Sequence, residues 1–415
     1  MSQLERQSLS AATTQWLIAK GYNPGDLNQP GENGDTALMK ATREGVYAVV
    51  KELIDAGADV NARNSDLNNA LWFACFGNHY DLINLLLAVN IVENNSLTLI
   101  YELIDDGLES YIIPGKSING FIFLISCVYY RSSWKYQNRS MRYCLLDSGH
   151  HLGAVSASAF LHNKDIQLIF DFDKLALNSD LGFENKEFIT ACAVSGEVQD
   201  KKIRCLRLKV PFVCGTDYFE PNQFIEDAYQ ATAVEKSRQQ KLEYPQFDLD
   251  KDKFYQTIWN RRSIRRFRKE PISQEDYLYI VQQLQQPIPT ENYEQIEIYS
   301  VVHRVEGMTP GLYKGTYLVK TGNFNEKTGY LCINQAMSTT GCAYAKDSAV
   351  TLFFVSDYLN YQTAMQIAGF LGQRLYLASN YLGIQCSGIG AYYDDETQEL
   401  LETNKDVLYG MVIGI

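Results

Sequence analysis

The sequence predicts an α+β fold, an antiparallel-rich sheet with helices packed around it, preceded by a short all-α solenoid. Three observations carry this prediction. They are a 33-residue repeat near the N-terminus, a second repeat at an offset near 220 residues, and an amphipathic helix shortly before an apolar terminal strand. A chain of 415 residues is long enough for two or three domains with sizeable cores.

Composition and charge limit the classes of partner. Hydrophobic residues make up 46% of the chain and charged residues 21%, the ordinary balance of a soluble globular protein. The formal net charge of −12 argues against nucleic acid or an anionic membrane as the main partner, because such binding requires a basic face. No apolar run follows a basic start, and none is long enough to cross a bilayer, so we expect a cytoplasmic protein.

The cysteines and histidines show no metal-binding pattern. None of the nine cysteines has C-x-x-C spacing, and the five histidines do not lie near them as in a zinc finger. We therefore expect reduced thiols and no metal site.

The N-terminal repeat sets residues 34–41 over residues 67–74, with a G-A-D-V-N turn between the two units. Each unit has an apolar face that one helix pair cannot cover alone, so neighbouring units must stack. The T-A-L-x-x-A opening and the G-A-D-V-N turn resemble the ankyrin repeat. We predict an ankyrin-repeat module over 1–110, with a capping helix in 9–27 and a degenerate third unit at 96–107. The resemblance implies a surface that docks a protein or peptide partner, and a structural spacer is an equal alternative.

The second repeat relates residues 143–196 to residues 363–414. Gly149 lies opposite Gly369, and each segment ends in an apolar strand that closes on glycine. This pattern indicates two copies of one structural unit within the chain.

The domain organisation follows from these repeats. We predict a truncated, degenerate first half at 111–229 and a fuller second half at 254–415. The stretch 230–253 is rich in Lys, Glu, Gln and Asp and is predicted to be an exposed linker.

The strongest local motif is R-R-S-I-R-R-F at 261–267, which places four arginines within six positions of an acidic protein. The apolar spacing of 254–259 predicts a helix before the motif, and S-Q-E-D at 273–276 predicts a capping box that opens the next helix. Arginine forks bind phosphate through paired, charge-assisted hydrogen bonds, and a serine hydroxyl can complete the cradle. A solvated basic turn is the alternative from these residues alone.

With the P-I-S that follows, this motif resembles the opening signature of the nitroreductase superfamily, whose members bind FMN. The resemblance implies that the motif holds the flavin phosphate and the pyrimidine side of the ring. The residues that would take these roles are Arg261, Arg262, Ser263 and Arg265.

A second motif lies near the C-terminus. Apolar residues at i, i+4, i+7 and i+11 from Leu371 predict one face of a buried helix that ends at Gly383. In the S-G-I-G-A-Y-Y-D-D stretch that follows, glycines allow the main chain to approach a flat ligand closely. This helix and stretch are similar to a segment of the same superfamily. The resemblance implies that the main chain of Gly388, Ile389 and Gly390 lies against the flavin ring near N5.

Two further segments, 302–313 and 136–150, resemble the azoline-oxidising peptide dehydrogenases of this superfamily, some of which are tandem duplications. The resemblance implies a homodimer or an intramolecular pseudo-dimer, with His150 and His303 as scaffold positions. The P-S-x-G-x-x-x-P segment typical of the family is absent. In the first half, bulky residues stand opposite the two glycines, so at most one flavin site per chain is expected.

These patterns support two hypotheses about function. The first is an FMN-dependent oxidoreductase that transfers a hydride through flavin N5, with a peptide-borne heterocycle, a quinone or a nitroaromatic as substrate. The second is a catalytically silent scaffold or partner-binding protein, in which the repeats dock a partner and the nitroreductase-like half binds no flavin.

Overall fold

The structure is a computed structural model that describes residues 9–332 and 343–415. Within these limits, the residues not described are 61, 67, 78, 80–81, 83–85, 87–88, 94–95, 102–106, 184, 207–208 and 210–217. The chain divides into two compact units, Met1–Asp105 and Asp106–Ile415. Among the described helices, none combines the length and the apolar character that a bilayer span requires.

The first unit opens with a row of short helices. Their bounds are α1 (Ala11–Ala19), α2 (Ala37–Arg43), α3 (Tyr47–Asp55) and α4 (Ala70–Phe76). Helix α1 falls inside the predicted capping segment. Thr36 starts α2, since its hydroxyl accepts a hydrogen bond from the Met39 amide at 3.3 Å. Helix α2 packs against both α3 and α4, and its Leu38 side chain is fully buried. The helices thus stack through apolar faces, as the solenoid prediction requires.

The predicted third helical unit is wrong at its beginning. Residues Ser96–Tyr101 form strand β2, which pairs antiparallel with β1 (Val89–Glu93). The first four residues, S-L-T-L, alternate between polar and apolar, which is the period of a strand rather than of a helix. Residues 102–106 of the predicted unit lie outside the described residues, as do several positions of the second repeat, including 67, 80 and 83.

The second unit contains the remaining elements. Its helices are α5 (Glu109–Ile112), α6 (Tyr130–Tyr136), α7 (Ser140–Leu161), α8 (Lys174–Asp180), α9 (Gln223–Ala233), α10 (Lys251–Asn260), α11 (Gln274–Leu284), α12 (Asn325–Leu331), α13 (Ala343–Asp347), α14 (Tyr361–Tyr381) and α15 (Asp394–Leu401). Its strands are β3 (Ser117–Cys127), β4 (Gln167–Ile169), β5 (Phe188–Gln199), β6 (Arg238–Gln239), β7 (Asn292–Tyr293), β8 (Glu297–Val302), β9 (Gly311–Lys314), β10 (Tyr317–Thr321), β11 (Val350–Ser356), β12 (Gln385–Ile389) and β13 (Asp406–Gly414).

The sheets of the second unit are antiparallel, which confirms the predicted α+β class. The larger sheet has the strand order β10-β9-β8-β11-β13-β12, and a three-stranded sheet has the order β3-β5-β4. Strands β5 and β13 are the apolar strands expected at the ends of the two repeated segments. Strand β12 lies at one edge of the larger sheet, where its outer side can receive another segment of chain.

The two long helices α7 and α14 pack against each other at a close crossing. A Cβ atom on Gly149 would lie 2.1 Å from the Gln366 carbonyl oxygen, and one on Gly369 would lie 2.1 Å from the Leu146 carbonyl oxygen. No side chain fits at either position, so both backbones depend on glycine for this approach. The two glycines that the sequence repeat sets opposite each other therefore meet in the structure.

The stretch 230–253 contains regular structure as well as extended chain. Helix α9 continues to Ala233, and β6 pairs with β7. Ser237 is buried, and its hydroxyl forms hydrogen bonds of 2.8 Å with both Asp171 and Thr363. Part of this stretch is thus packed onto the unit.

Candidate functional site

The arginine motif lies along the free edge of the larger sheet. It begins where α10 ends, and Ser263 forms a parallel bridge with Cys386 of β12. The Ile264 amide donates a hydrogen bond of 3.1 Å to the Cys386 carbonyl oxygen. Residues that are more than 120 positions apart in the chain therefore lie side by side, and the motif comes within two residues of Gly388.

Among the described residues, no carboxylate neutralises the guanidinium groups of this motif. Arg262, Arg265 and Arg266 are exposed, and no carboxylate among the described residues forms an ion pair with them or with Arg261. The Arg261 guanidinium stacks on a tyrosine ring, 5.1 Å from the Tyr376 centroid. Unpaired arginines on a chain of net charge −12 form a local site for an anion.

Arg262 is partly used by the protein itself. Its Nη1 donates to the carbonyl oxygens of Trp259 at 3.0 Å and of Arg261 at 2.8 Å. These bonds hold the side chain over the end of α10, where the carbonyl groups of a helix carry partial negative charge.

Tyr376 connects the arginine motif with the glycine motif. Its Oη lies 2.9 Å from the Ser263 Oγ and accepts a hydrogen bond of 2.8 Å from the Gly388 amide. Burial raises the pKa of the Tyr376 hydroxyl, although Ser263, Gly388 and Arg261 oppose the rise. The group therefore stays protonated at neutral pH. Nothing in the sequence marked Tyr376, except that a polar tip on a buried helix requires a partner.

Helix α14 and its end conform to the sequence prediction. Leu371 and Leu375 are buried, and Gly383 follows the helix with φ +80°, in the region that favours glycine. Ser273 caps α11, since its Oγ accepts from the Asp276 amide at 3.0 Å. These two local features place the glycine motif and the arginine motif at the ends of well-defined helices.

Gly388 of β12 and Gly390 directly after it make room for tyrosine rings. A Cβ atom on Gly388 would lie 2.1 Å from the Tyr409 Oη, and one on Gly390 would lie 2.4 Å from the Tyr143 Cε1. The Ile389 side chain is buried in a separate hydrophobic cluster, so only its main chain is available to a ligand. The strand face without side chains is thus covered by Tyr143 and Tyr409.

The first half of the unit contributes side chains to this region. Arg139, just before α7, donates from Nη1 to Asp394 Oδ2 at 2.9 Å, and Arg142 donates from Nη1 to Asp394 Oδ1 at 2.7 Å. Burial alone would raise the pKa of Asp394, but the hydrogen bonds and charges of the two arginines hold it below its usual range. Arg139 Nη2 also contacts the Gly390 carbonyl oxygen at 3.5 Å. Both arginines lie in the segment 136–150, but sequence analysis assigned neither of them a place in the site.

The two histidines singled out by the sequence are neutral near pH 7, and His303 is buried whereas His150 is half-buried. Burial lowers the pKa of His150 to about 4, and its Nε2 lies 3.1 Å from the Tyr409 Oη. Burial also lowers the pKa of His303 to about 4, and its Nε2 lies 3.2 Å from the Thr351 Oγ1. Both side chains contact neighbouring polar side chains, and their scaffold role stays a prediction.

The residues present fit the two ends of FMN unequally. Its phosphate end suits the unpaired guanidinium groups and the exposed Ser263 hydroxyl. Its ring would need the face of β12 that Tyr143 and Tyr409 cover. Tyr143 is only half-buried, whereas Tyr409 lies within the core. Access at Gly390 thus depends on Tyr143, whereas Tyr409 occupies the space at Gly388.

Comparison with known proteins separates the two units. A family model described as "Ankyrin repeats (3 copies)" matches residues 7–98, and one described as "Nitroreductase family" matches residues 258–415. The human Notch-regulated ankyrin repeat-containing protein is 31% identical over 104 residues, which cover 21% of this chain and 91% of that protein.

Solved structures resemble part of the chain. A protein from Anabaena variabilis described as a nitroreductase has a TM-score of 0.54 and 23% identity, covering 71% of this chain and 69% of that one. An NADPH:FMN oxidoreductase from Vibrio harveyi, solved in complex with NAD+, has a TM-score of 0.27 and 20% identity, covering 39% of this chain and 68% of that one. The first of these likenesses supports the nitroreductase-like fold.

Proposed function

This chain carries N-terminal ankyrin repeats and a nitroreductase-family domain, and from that premise we propose that it is an FMN-dependent oxidoreductase. One observation carries the proposal. The arginine motif and the glycine motif, which the resemblance assigns to opposite ends of one cofactor, meet at the free edge of β12 through the Ser263–Cys386 bridge. A scaffold has no evident need for arginines that lack a carboxylate partner among the described residues beside two glycines.

The roles of the residues follow from this meeting point. Arg261, Arg262, Ser263 and Arg265 would hold the phosphate and the pyrimidine side of the ring, and the main chain of 388–390 would lie along the ring. Tyr376 keeps the two motifs in register through its bonds to Ser263 and Gly388. Bound FMN supplies the chemistry, because its N5 accepts or gives a hydride.

Tyr143 controls access in this proposal. Its ring packs against Gly390, so the ring must rotate away before a flat ligand can lie against the main chain. Behind it, the neutral His150 and the protonated Tyr409 form a wall without charge, which keeps water from the interior of the site. The substrate is a flat, reducible or oxidisable group, such as a peptide-borne heterocycle, a quinone or a nitroaromatic.

A second candidate function is a flavin-free protein that binds a partner through its repeats. The observation that favours it is the tyrosine cover on Gly388 and Gly390, since the two glycines already have a structural purpose in making room for Tyr409 and Tyr143. Ankyrin repeats are in general protein-binding modules, so a protein or peptide partner fits both candidates.

A measurement of flavin binding distinguishes the two candidate functions. We expect the purified protein to show the visible absorbance of oxidised flavin, or to quench the fluorescence of added FMN. Arg265→Ala removes a charge-assisted contact, so it should weaken FMN binding at least about tenfold. The control Arg268→Ala removes an equal, exposed charge just beyond the motif and should change the affinity less than about twofold.

Gly390→Val tests the other end of the same site. A branched side chain there collides with Tyr143 and fills the face of β12, so FMN uptake should be lost while a thermal melt shows a folded protein. A wild-type preparation that takes up no FMN would favour the flavin-free candidate. Equal affinity in the wild type, Arg265→Ala and Gly390→Val would mean that flavin binds elsewhere.

A further inference from the structure

Arg139 holds a buried donor without a partner at the edge of the candidate site. Its Nη1 pairs with Asp394 at 2.9 Å, its Nη2 reaches the Gly390 carbonyl oxygen at 3.5 Å, and its guanidinium lies 5.4 Å from the Tyr392 ring centroid. The remaining Nε is buried and has no hydrogen-bond partner among the described residues. One face of this guanidinium is thus anchored, and one N–H group is left open.

An open donor of this kind is costly. A buried polar group without a hydrogen bond destabilises the folded state by roughly 1–3 kcal/mol, and more when it is charged. Native proteins therefore leave such groups open mainly where a ligand or water completes them. Because the same guanidinium reaches the Gly390 carbonyl oxygen through Nη2, a ligand of the candidate site is the natural acceptor for Nε.

Arg142 shows that neutralising Asp394 does not require this arrangement. It lies three residues further along the chain and pairs with the same carboxylate at 2.7 Å. Its Nη1 also donates to the Tyr392 hydroxyl at 3.2 Å, and none of its nitrogens is among the buried atoms without partners in the described part of the chain. The ion pair thus accounts for Arg142 but not for the open group on Arg139.

The surroundings of the open donor indicate the kind of acceptor. Tyr143 lies next to the Arg139 guanidinium, which opposes the rise that burial causes in the pKa of the Tyr143 hydroxyl. The Asp394 carboxylate is already shared by two arginines. An aromatic wall with one free guanidinium N–H suits a flat conjugated ring that carries a carbonyl oxygen, and the ring of FMN is such a group.

We propose that Arg139 is a further cofactor-binding residue, whose Nε–H donates to a carbonyl oxygen of the flavin ring. This inference rests on the proposed FMN function. It means that the first half, although it lacks a flavin motif of its own, completes the site of the second half. A cation beside the ring stabilises the negative charge that reduction adds, so Arg139 also raises the reduction potential of the bound flavin.

Two matched variants test the proposal in the full-length protein. Arg139→Lys keeps the positive charge near Asp394 but removes the Nε–H group, and Arg142→Lys makes the same change at the neighbour that has no open donor. The measurements are the dissociation constant for FMN, from the quenching of its fluorescence, the reduction potential, from a dye-equilibrated titration, and the midpoint of thermal unfolding.

We expect Arg139→Lys to weaken FMN binding at least about tenfold and to lower the reduction potential. Arg142→Lys should leave the affinity within about twofold of the wild type, even if the protein becomes less stable. Equal affinity and potential in the wild type and Arg139→Lys would overturn the inference while leaving the proposed function intact. Equal losses in the two variants would also overturn it, because Arg139 would then act only by holding Asp394. A wild type that binds no FMN would remove both proposals.

Discussion

Tyr376, Tyr409 and Tyr143 surround the glycine motif, each from a different element of the second unit. Tyr376 bonds to Ser263 and Gly388 through one hydroxyl, whereas the other two rings occupy the space that the glycines leave free. The Tyr409 hydroxyl in turn pairs with His150, whose Nδ1 lies 3.2 Å from the Gln373 Oε1. At the scale of single residues, the wall of the site formed by Tyr376, Tyr409 and His150 is polar but uncharged.

His150 makes the stability of the protein depend on pH. Its pKa is about 4 in the folded state and 6.5 when exposed, so below pH 6.5 the unfolded chain binds a proton that the folded chain does not. Stability should therefore fall as the pH decreases from 6.5 towards 4, by up to about 1.4 kcal/mol per pH unit for this one group. His303 acts in the same direction.

The test compares urea unfolding of the wild type and His150→Gln at several pH values between 6.5 and 4.5. Since all carboxylates remain in both proteins, the difference between their slopes reports on His150 alone. We expect a shallower loss of stability in the variant. Identical slopes would show that the histidine is already accessible to protons in the folded protein.

At the scale of elements, the crossing of α7 and α14 organises the second unit. The main chains touch at Gly149 and Gly369, and the N-terminal end of α7 meets α15 through the ion pairs of Arg139 and Arg142 with Asp394. The helix of one half thereby sets the position of the glycine motif in the other. The crossing thus affects the geometry of the site as well as its stability.

Gly149→Ala should open this crossing. The added methyl group would lie 2.1 Å from the Gln366 carbonyl oxygen, and backbone can yield only if the helices move apart. We expect a loss of about 1–3 kcal/mol in the free energy of unfolding, the usual cost of overpacking. Ser158→Ala is the control, an exposed position on the same helix, where the change should stay within about 0.5 kcal/mol. Equal stability of the two variants would contradict the close approach.

At the scale of the whole molecule, the two halves of the second unit share one core. A single buried cluster draws side chains from both repeated segments. Its members include Leu145, Leu152 and Phe170 from the first half and Leu352, Leu375 and Met411 from the second. Neither half can therefore bury its apolar surface alone, whereas the ankyrin-repeat unit has buried residues of its own.

Fragments should behave accordingly. We expect residues 106–415 to be soluble and to unfold cooperatively, since this compact unit keeps the shared core intact. Residues 254–415 alone lose the half of the core that α7 and β5 provide, and should aggregate or show no cooperative transition. Circular dichroism during thermal unfolding distinguishes the two outcomes. A cooperative transition in 254–415 would show that the second half is an independent domain.

Local patterns in the sequence determined much of the architecture. The 33-residue repeat predicted the stacked helices. The periodicity from Leu371, together with Gly383, predicted the C-terminal part and the end of α14, because this signal lies within a few turns of one helix. The prediction was wrong at 96–101, where a short apolar alternation forms β2. Short apolar runs are ambiguous between helix and strand until their neighbours are known.

The sequence by itself also determined which types of group form the candidate site. These are the four arginines and the serine of the arginine motif and the two glycines of the glycine motif. Only the tertiary structure decided that Ser263 lies against Cys386, that tyrosines cover Gly388 and Gly390, and that Arg139 reaches the site from the other half. The physical reason is the distance along the chain over which each kind of interaction acts. Propensities and caps act within a few residues, whereas these contacts join residues from 21 to 251 positions apart and depend on how the long helices and the sheet pack.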